Sequence, residues 1–374
     1  MLWLLHQEKR GKWAGRGASK DYCRNAGLRC KHELSPIKVQ TPSITVLMAV
    51  YNGASWLDES IPSVLKQTYG NFEFIIVNDG STDQSLEIIR HFAATDSRVV
   101  IIDKNNTGLA DSLNCGIRVA KGHWIARLDA DDLCMPDRLK VFYNRLKSNH
   151  SVVLAGSDFV EIDDAGKFLN LQHYPTSHSK LVRNLERYQR FFPHSSAFIR
   201  ADVARQIGGY NERIVRSQDH DFWFRLSEKG NITCINQPLV KIRRHARQIS
   251  HEESGMRSIY YDFASTICHY LRKNGQRDPS VEMNVNEWVG FVDWVRHEIE
   301  EEVNFVYSRK VWANARDVLH KEEKNLITYI YILRELLLSG CLYELLKERY
   351  FGTLLPKRLA DKWAETTMNR ISND

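Results

Sequence analysis

The chain has 374 residues, of which 43% are hydrophobic and 26% are charged, and its net charge is +6. These values are typical of a globular protein that is long enough for more than one domain. The positive charge comes from residues 1–40, which hold nine Lys and Arg against three Asp and Glu; the rest of the chain is neutral and is not expected to bind nucleic acid. The sequence contains no run of about 18 apolar residues, so we do not expect a transmembrane helix.

Residues 1–40 are rich in Gly, Lys and Arg and have neither helical nor strand periodicity. We predict that they form a mobile basic extension, with contact to anionic lipid or nucleic acid as the alternative. The apolar start, Met1–Leu5, is too short for a signal peptide. Seven cysteines without closely spaced pairs indicate free thiols in a reducing, intracellular compartment.

From Pro42 onwards, short apolar runs alternate with helical patterns four times. This alternation predicts an α/β fold, with a mostly parallel sheet that helices cover on both faces. Ser81 and Gln84 have the spacing of a capping box, which predicts the start of the second helix. The predicted strands are 44–50, 72–77, 98–103 and 124–128.

Polar residues follow each predicted strand at the edge of the sheet where ligands bind in open α/β folds. These residues are Tyr51, Asn52, Asp79, Asn106, Asp129, Asp131 and Asp132. The chain has neither G-x-G-x-x-G after the first strand nor G-x-x-x-x-G-K-[ST], so we expect neither a dinucleotide site nor a P-loop.

Three carboxylates, Asp129, Asp131 and Asp132, lie directly after the apolar run Trp124–Leu128. Crowded acids at the end of a buried strand are unfavourable unless a cation binds them. The pattern therefore predicts that a divalent metal ion binds here, and phosphate oxygens can complete its ligand shell. The alternative is a solvated acidic turn before a helix that begins near Pro136.

The chain contains four motifs in its predicted α/β domain: Val46–Gly53, Ile76–Asp83, Asn105–Ala110 and Leu128–Asp132. Together they resemble the motifs of family 2 glycosyltransferases, which have the Rossmann-like GT-A fold. They occur in the family's order, and the resemblance covers about residues 43–250. It implies an inverting enzyme that takes a sugar from a nucleotide-diphosphate donor, most often a UDP-sugar, with Mn²⁺ or Mg²⁺ as cofactor.

The resemblance also implies roles for single residues. Asp79 accepts a hydrogen bond from the nucleotide base near Tyr51, Asp129 faces the ribose, and Asp131 holds the metal ion. Lys104 either meets a phosphate or is a solvated surface lysine. The implied nucleotide-sugar-binding set is Val50, Tyr51, Asn52, Asp79, Asn106, Asp129, Ala130, Asp131 and Asp132.

A second acidic motif begins at Gln218, where the family more often has Glu. By resemblance, Asp219 is the catalytic base, favoured over Asp221, which is left as an acceptor or phosphate contact. Acids at the amino end of a helix are also explained by the helix dipole alone. His194 either contacts the acceptor or is a buried structural residue.

The segment Pro238–Ser250 resembles the end of the family's catalytic domain. It implies His245 as a further metal ligand, which suits manganese better than calcium. Arg243 or Arg244 either meets the diphosphate as a charge-assisted partner or belongs to a surface basic cluster.

We therefore predict a GT-A domain over 41–250 and a helical region over 251–374, most apolar at 326–346. The helical region either packs on the catalytic domain or forms a peripheral membrane or homo-oligomer contact. The resemblance implies that the acceptor is a saccharide or lipid-linked saccharide, and that the chain acts in surface polysaccharide synthesis at the cytoplasmic face of the inner membrane. The rivals are a nucleotidyltransferase, for which the loop at Val50–Ala54 lacks basic and Gly-rich character, and a catalytically idle scaffold that binds nucleotide sugars.

Overall fold

The computed structural model describes residues 41–189, 191–245, 248, 255–301 and 354–371. The predicted extension over 1–40 and the apolar segment 326–346 lie outside the described residues.

The first half of the predicted GT-A domain consists of alternating strands and helices, as the sequence predicts. Strands β1 to β4 are parallel and lie in the order β3-β2-β1-β4. Along β1, Met48 packs into one hydrophobic core and Leu47 into the other, so the strand is buried on both faces. The elements are β1 (Ile44–Val50), α1 (Ala54–Leu65), β2 (Phe72–Asp79), α2 (Ser85–Thr95), β3 (Val99–Lys104), α3 (Leu109–Val119) and β4 (Trp124–Arg127).

The second half extends this sheet with mixed pairing. Strand β8 pairs antiparallel with β4, β6 pairs antiparallel with β8, and β9 pairs parallel with β6, which gives nine strands in the described part of the chain. A short 3₁₀ turn, His194–Ser196, precedes β8. The elements are β5 (Leu133–Cys134), α4 (Arg138–Leu146), β6 (Val152–Ile162), β7 (Phe168–Gln172), α5 (His178–Glu186), β8 (Phe198–Arg200), α6 (Ala201–Gln206), α7 (Gln218–Ser227) and β9 (Asn231–Arg243).

Side-chain hydrogen bonds join the loops that follow β1 and β2. The Ser81 hydroxyl accepts from the backbone N–H of Asn52 (3.0 Å), and the Asn52 side chain accepts from the N–H of Thr82 (2.8 Å). The predicted capping box of Ser81 and Gln84 does not form, because α2 begins at Ser85 without a side-chain cap. Ser81 instead aligns two loops of the candidate site.

The helical region forms a third hydrophobic core that includes Ile214 of the catalytic domain. Its helices are α8 (Gly255–Lys273), α9 (Pro279–Glu282), α10 (Val285–Glu301) and α11 (Leu354–Ile371). Helix α8 packs against α7, α10 and α11. None of the helices in the described ranges is both long enough and apolar enough to span a membrane.

Candidate active site

The loops after β1, β2 and β3 meet at one edge of the sheet. Tyr51 is 55% exposed there, and Asn106 is also exposed, so both side chains are available to a ligand. Gly80 has φ +70°, and a Cβ atom at this position would lie 2.6 Å from the backbone nitrogen of Asn106. The absence of a side chain therefore lets the loops after β2 and β3 touch.

Asp79 lies buried between these loops and binds the turn that follows β3. Its Oδ1 accepts from Lys104 Nζ and from the N–H of Thr107 (3.0 Å), and its Oδ2 accepts from the N–H of Gly108 (2.9 Å). Burial alone would raise the pKa of Asp79, but these hydrogen bonds outweigh it, and the pKa lies below its ordinary value. The carboxylate is therefore ionised, and Oδ2 retains room for another donor such as a base N–H.

Lys104 is partly buried and paired within the protein. Its side chain is 16% exposed and contacts Asp79, and its ammonium group lies 3.1 Å from Asp111. It also donates to the Ser112 hydroxyl (3.1 Å). These contacts make Lys104 a partner of Asp79 and do not support the solvated alternative, while contact with a phosphate stays a prediction.

Asp129 is held by the residues on either side of β4. Its Oδ1 accepts from Arg127, its Oδ2 accepts from the Ser195 hydroxyl (2.6 Å), and its backbone N–H donates to the same hydroxyl (2.9 Å). Burial would raise the pKa of Asp129, but the positive charge of Arg127 outweighs it and lowers the pKa. Asp129 is thus a fixed, ionised acceptor next to the predicted ribose position.

Asp131 and His245 meet as predicted for a shared metal ion. Oδ2 of Asp131 and Nε2 of His245 are 2.9 Å apart, and the His245 ring packs on Trp56 at 4.9 Å between centroids. Two adjacent ligands about 2.1 Å from one ion would be about 3 Å apart, so the pair fits a divalent cation. Among the described residues no three His, Cys, Asp or Glu side chains group around one point, so a metal ion bound there would need other oxygens to complete its shell.

Asp132, the neighbour of Asp131, is almost fully buried. Its Oδ1 accepts from the backbone N–H of Arg243 (2.9 Å). Burial, reinforced by the charges of Asp131 and Asp129, raises its pKa well above the ordinary value. Ala130 lies opposite Gly53. A Cβ atom added to Gly53 would be 3.4 Å from the Cβ atom of Ala130 and 3.2 Å from the Val50 side chain. The acidic loop therefore adjoins the loop after β1.

The structure gives Arg243 and Arg244 partners within the protein. The buried Arg243 guanidinium donates to Glu59 (2.7 Å) and to the backbone oxygens of Asp164 (2.7 Å) and Asp131 (3.1 Å). Arg244 is paired with Glu161. This geometry does not support the predicted diphosphate contact, and it favours a role for Arg243 in holding the acidic loop.

Asp219 and Asp221, in the first turn of α7, differ sharply in their surroundings. Burial raises the pKa of Asp219, and the charges of Asp129 and Arg127 also act on it, so the structure brings this acid close to the acidic loop. The Asp221 carboxylate is fully buried and lies 2.7 Å from Nη2 of Arg225. Its position does not support the predicted contact with acceptor or phosphate, and the geometry favours Asp219 as the base.

His194 has a structural hydrogen bond. Its Nε2 is 2.6 Å from the Tyr210 hydroxyl, and its ring packs edge-on against Trp223. Burial, followed by the nearby charge of Arg127, lowers the pKa of His194 to about 3, so the imidazole is neutral. Of its two predicted roles, the structure favours the packed and hydrogen-bonded one.

Two buried arginines support the site and were not predicted. Arg127 contacts Asp129, while its Nε and Nη1 atoms have no hydrogen-bond partner among the described residues. Arg138 donates to the backbone oxygens of Arg127 (2.7 Å) and Ser195 (2.8 Å). Both arginines occupy positions that the apolar periodicity predicts to be buried. A charged residue at a buried position was the signal in the sequence that could have identified them.

Comparisons with known proteins show the family to which the chain is related. The model of glycosyl transferase family 2 matches residues 45–208. An uncharacterized glycosyltransferase of Haemophilus influenzae is 31% identical over 249 residues, which cover 63% of this chain and 76% of that protein. The hyaluronan synthase of Pasteurella multocida is 26% identical over 267 residues, 68% of this chain and 27% of that protein.

Among solved structures, the chain is similar in fold to S. aureus TarS 1-349 in complex with UDP-GlcNAc. The TM-score is 0.52 at 15% sequence identity, and the match covers 87% of this chain and 92% of that one. This likeness confirms the predicted GT-A fold with helices at its carboxyl end. The chain therefore belongs to glycosyl transferase family 2.

Proposed function

We propose that the chain is an inverting glycosyltransferase that moves a sugar from a UDP-sugar to a hydroxyl of a saccharide or lipid-linked saccharide. The observation that carries the proposal is the contrast within α7. Among the described residues no basic side chain forms a salt bridge with Asp219, which lies close to the acidic loop, while Asp221 is neutralised by Arg225. The UDP-GlcNAc in the similar TarS structure supports UDP as the nucleotide.

The donor would lie along the loops after β1 to β4. Tyr51, Asp79 and Asn106 surround the position of the base, and Asp129 faces the ribose. Asp131 and His245 would hold Mn²⁺ or Mg²⁺, which supplies positive charge beside the diphosphate leaving group. Arg243 and Asp132 hold the acidic loop in place from behind.

The reaction would be a single displacement. An acceptor hydroxyl attacks the anomeric carbon from the face opposite the diphosphate, and the bond between sugar and phosphate breaks as the new glycosidic bond forms. The hydroxyl proton passes to Asp219, whose raised pKa improves it as a general base. One displacement inverts the anomeric configuration and needs no covalent enzyme intermediate.

The first experiment is thermal unfolding of the full chain with UDP, GDP, dTDP or CDP, each with Mn²⁺, Mg²⁺ or excess chelator. We expect stabilisation by UDP that depends on the metal ion, of about 2.7 kcal/mol at 100 times the dissociation constant. No shift with any nucleotide would contradict the donor site and favour the scaffold alternative.

Turnover is then measured as UDP release from a panel of UDP-glucose, UDP-galactose and their N-acetylated forms. Binding of UDP without turnover of any donor or acceptor tested would favour the idle alternative. The role in surface polysaccharide synthesis, the cytoplasmic location and a peripheral membrane or homo-oligomer contact stay predictions.

A further inference from the structure

The amino end of α7, which carries Asp219, is not fixed by its own sequence. Ser217 precedes the helix with φ 55° and ψ 36°, a left-handed conformation that is strained for a residue with a side chain, and it provides no side-chain cap. An uncapped first turn leaves backbone N–H groups unsatisfied and tends to fray. The N–H of His220 donates to the backbone oxygen of Ser217 (3.1 Å), and contacts from outside the helix add to this local bond.

The Asp219 carboxylate depends on its neighbour His220 for orientation. The backbone N–H of His220 donates to Asp219 Oδ1 at 3.0 Å. Within the described ranges, no side chain hydrogen-bonds to this carboxylate. The backbone N–H of Asp219 itself also bonds this carboxylate, so the position of His220 contributes to its direction without setting it alone.

The His220 side chain is in turn held by α8. Its Nε2 lies 3.3 Å from the Thr266 hydroxyl oxygen, and Thr266 already donates its proton to the backbone oxygen of Asp262 (2.8 Å). The hydroxyl has one proton, so His220 Nε2 must be the donor in their hydrogen bond. Burial lowers the pKa of His220 to about 3, so the ring stays neutral beside the base.

A stack of rings fixes the same imidazole from the side. Tyr188 packs parallel to His220 (5.7 Å, 12°), and Phe263 of α8 packs on the other side of Tyr188 (4.7 Å, 20°). Phe224 meets His220 edge-on (4.9 Å, 86°). Tyr188 has φ 53°, a strained conformation for a bulky residue that this packing maintains.

Helix α8 also holds the other end of α7. Glu228, directly after α7, accepts hydrogen bonds from His269 (2.7 Å) and Arg272 (3.0 Å) of α8. Helix α7 is therefore held at both ends by α8. The family model matches residues 45–208, so α8 lies outside the matched range.

We propose that Thr266 and His220 are positioning residues for Asp219, so that α8 of the helical region forms part of the active site. The inference rests on the proposed function, because it takes Asp219 as the base. Packing alone would explain the contacts of Glu228 at the far end of α7. It does not require a hydrogen bond to the residue that orients the Asp219 carboxylate.

The test uses Thr266→Val, which removes the hydroxyl at nearly constant volume, and Thr266→Ser, which restores it. Ser265→Ala is the matched control, because Ser265 is a buried neighbour on α8 whose hydroxyl has no hydrogen-bond partner among the described residues. The readouts are the Kd for UDP with Mn²⁺, and kcat and KM for the UDP-sugar that the wild-type chain turns over.

We expect Thr266→Val to lower kcat about 10- to 100-fold, the range that a misplaced catalytic group produces. KM and the Kd for UDP should stay within about twofold of wild type, and Thr266→Ser should recover most of the activity. The acidic limb of the kcat profile should also move to higher pH, because a weaker N–H bond to the Asp219 carboxylate raises its pKa.

The inference is overturned if Thr266→Val behaves like Ser265→Ala, or if it changes only thermal stability or KM. The variant Asp219→Asn distinguishes a failure of this inference from a failure of the proposed function. If Asp219→Asn is inactive and Thr266→Val is normal, only the inference falls. If Asp219→Asn keeps its turnover, the assignment of the base falls and the inference falls with it.

Discussion

Nε2 of His245 lies 2.9 Å from Oδ2 of Asp131, although 114 residues separate the two in the sequence. The contact forms because β5, just after the acidic loop, pairs antiparallel with β9, just before His245. Arg243 strengthens it by donating to the backbone of Asp131 and by contacting Glu59. The end of the catalytic domain thus completes the candidate metal site.

We predict that His245→Ala weakens Mn²⁺-dependent binding of UDP by about tenfold or more, a loss typical of groups around a metal ion. Titration calorimetry with UDP in the presence of Mn²⁺, and again with chelator, measures the effect. His91→Ala is the control, because His91 is exposed on α2. Equal affinities for the two variants would remove His245 from the site.

The two acids of α7 should respond differently to loss of charge. Asp219→Asn should abolish turnover while the Kd for UDP and the free energy of unfolding stay near their wild-type values. Asp221→Asn should destabilise the fold by about 3–5 kcal/mol, because it leaves the Arg225 guanidinium buried without its carboxylate. Urea unfolding and kcat, measured on both variants, test this contrast. Equal losses of stability in Asp219→Asn and Asp221→Asn would contradict the prediction.

These assignments show what local sequence patterns can and cannot predict. The four parallel strands were predictable because strands buried on both faces are continuous apolar runs, and the acidic loop was predictable because three carboxylates follow one of them. Ser81 was assigned wrongly to a capping box, because its hydrogen bond to Asn52 crosses 29 residues. A long-range contact replaced a local one.

The order and pairing of the strands in the second half of the sheet had no such local signal. Strands β8, β6 and β9 find their partners through antiparallel and crossover pairing that periodicity does not encode. The same holds for Arg243, whose partner Glu59 is 184 residues away. Its buried position could not be inferred from the basic run around it, which also resembles a solvated surface cluster.

The pH dependence of turnover should report Asp219. Burial raises the pKa of this carboxyl above its ordinary value, and a general base acts only when it is deprotonated. We therefore expect kcat to fall as the pH is lowered through this raised pKa and to level off above it. Asp219→Glu should shift the acidic limb if it retains activity, whereas a limb that does not move would assign the titration to another group.

Gly80 tests the contact between the donor-site loops, with Gly108 as a comparison. Both have positive φ, +70° and +98°, so alanine at either position adds backbone strain, and the strain is larger at Gly108, whose ψ of 167° lies in a region that essentially only glycine adopts. Only at Gly80 does the new Cβ atom also meet a backbone nitrogen, that of Asn106 at 2.6 Å, while at Gly108 it meets nothing within 4 Å. We expect Gly80→Ala to weaken UDP binding more than Gly108→Ala, because the loops around Asp79 must move apart. Titration calorimetry measures the affinity, and urea unfolding shows that each variant is folded. Equal losses of affinity in the two variants would show that the loop contact is not needed to shape the donor site.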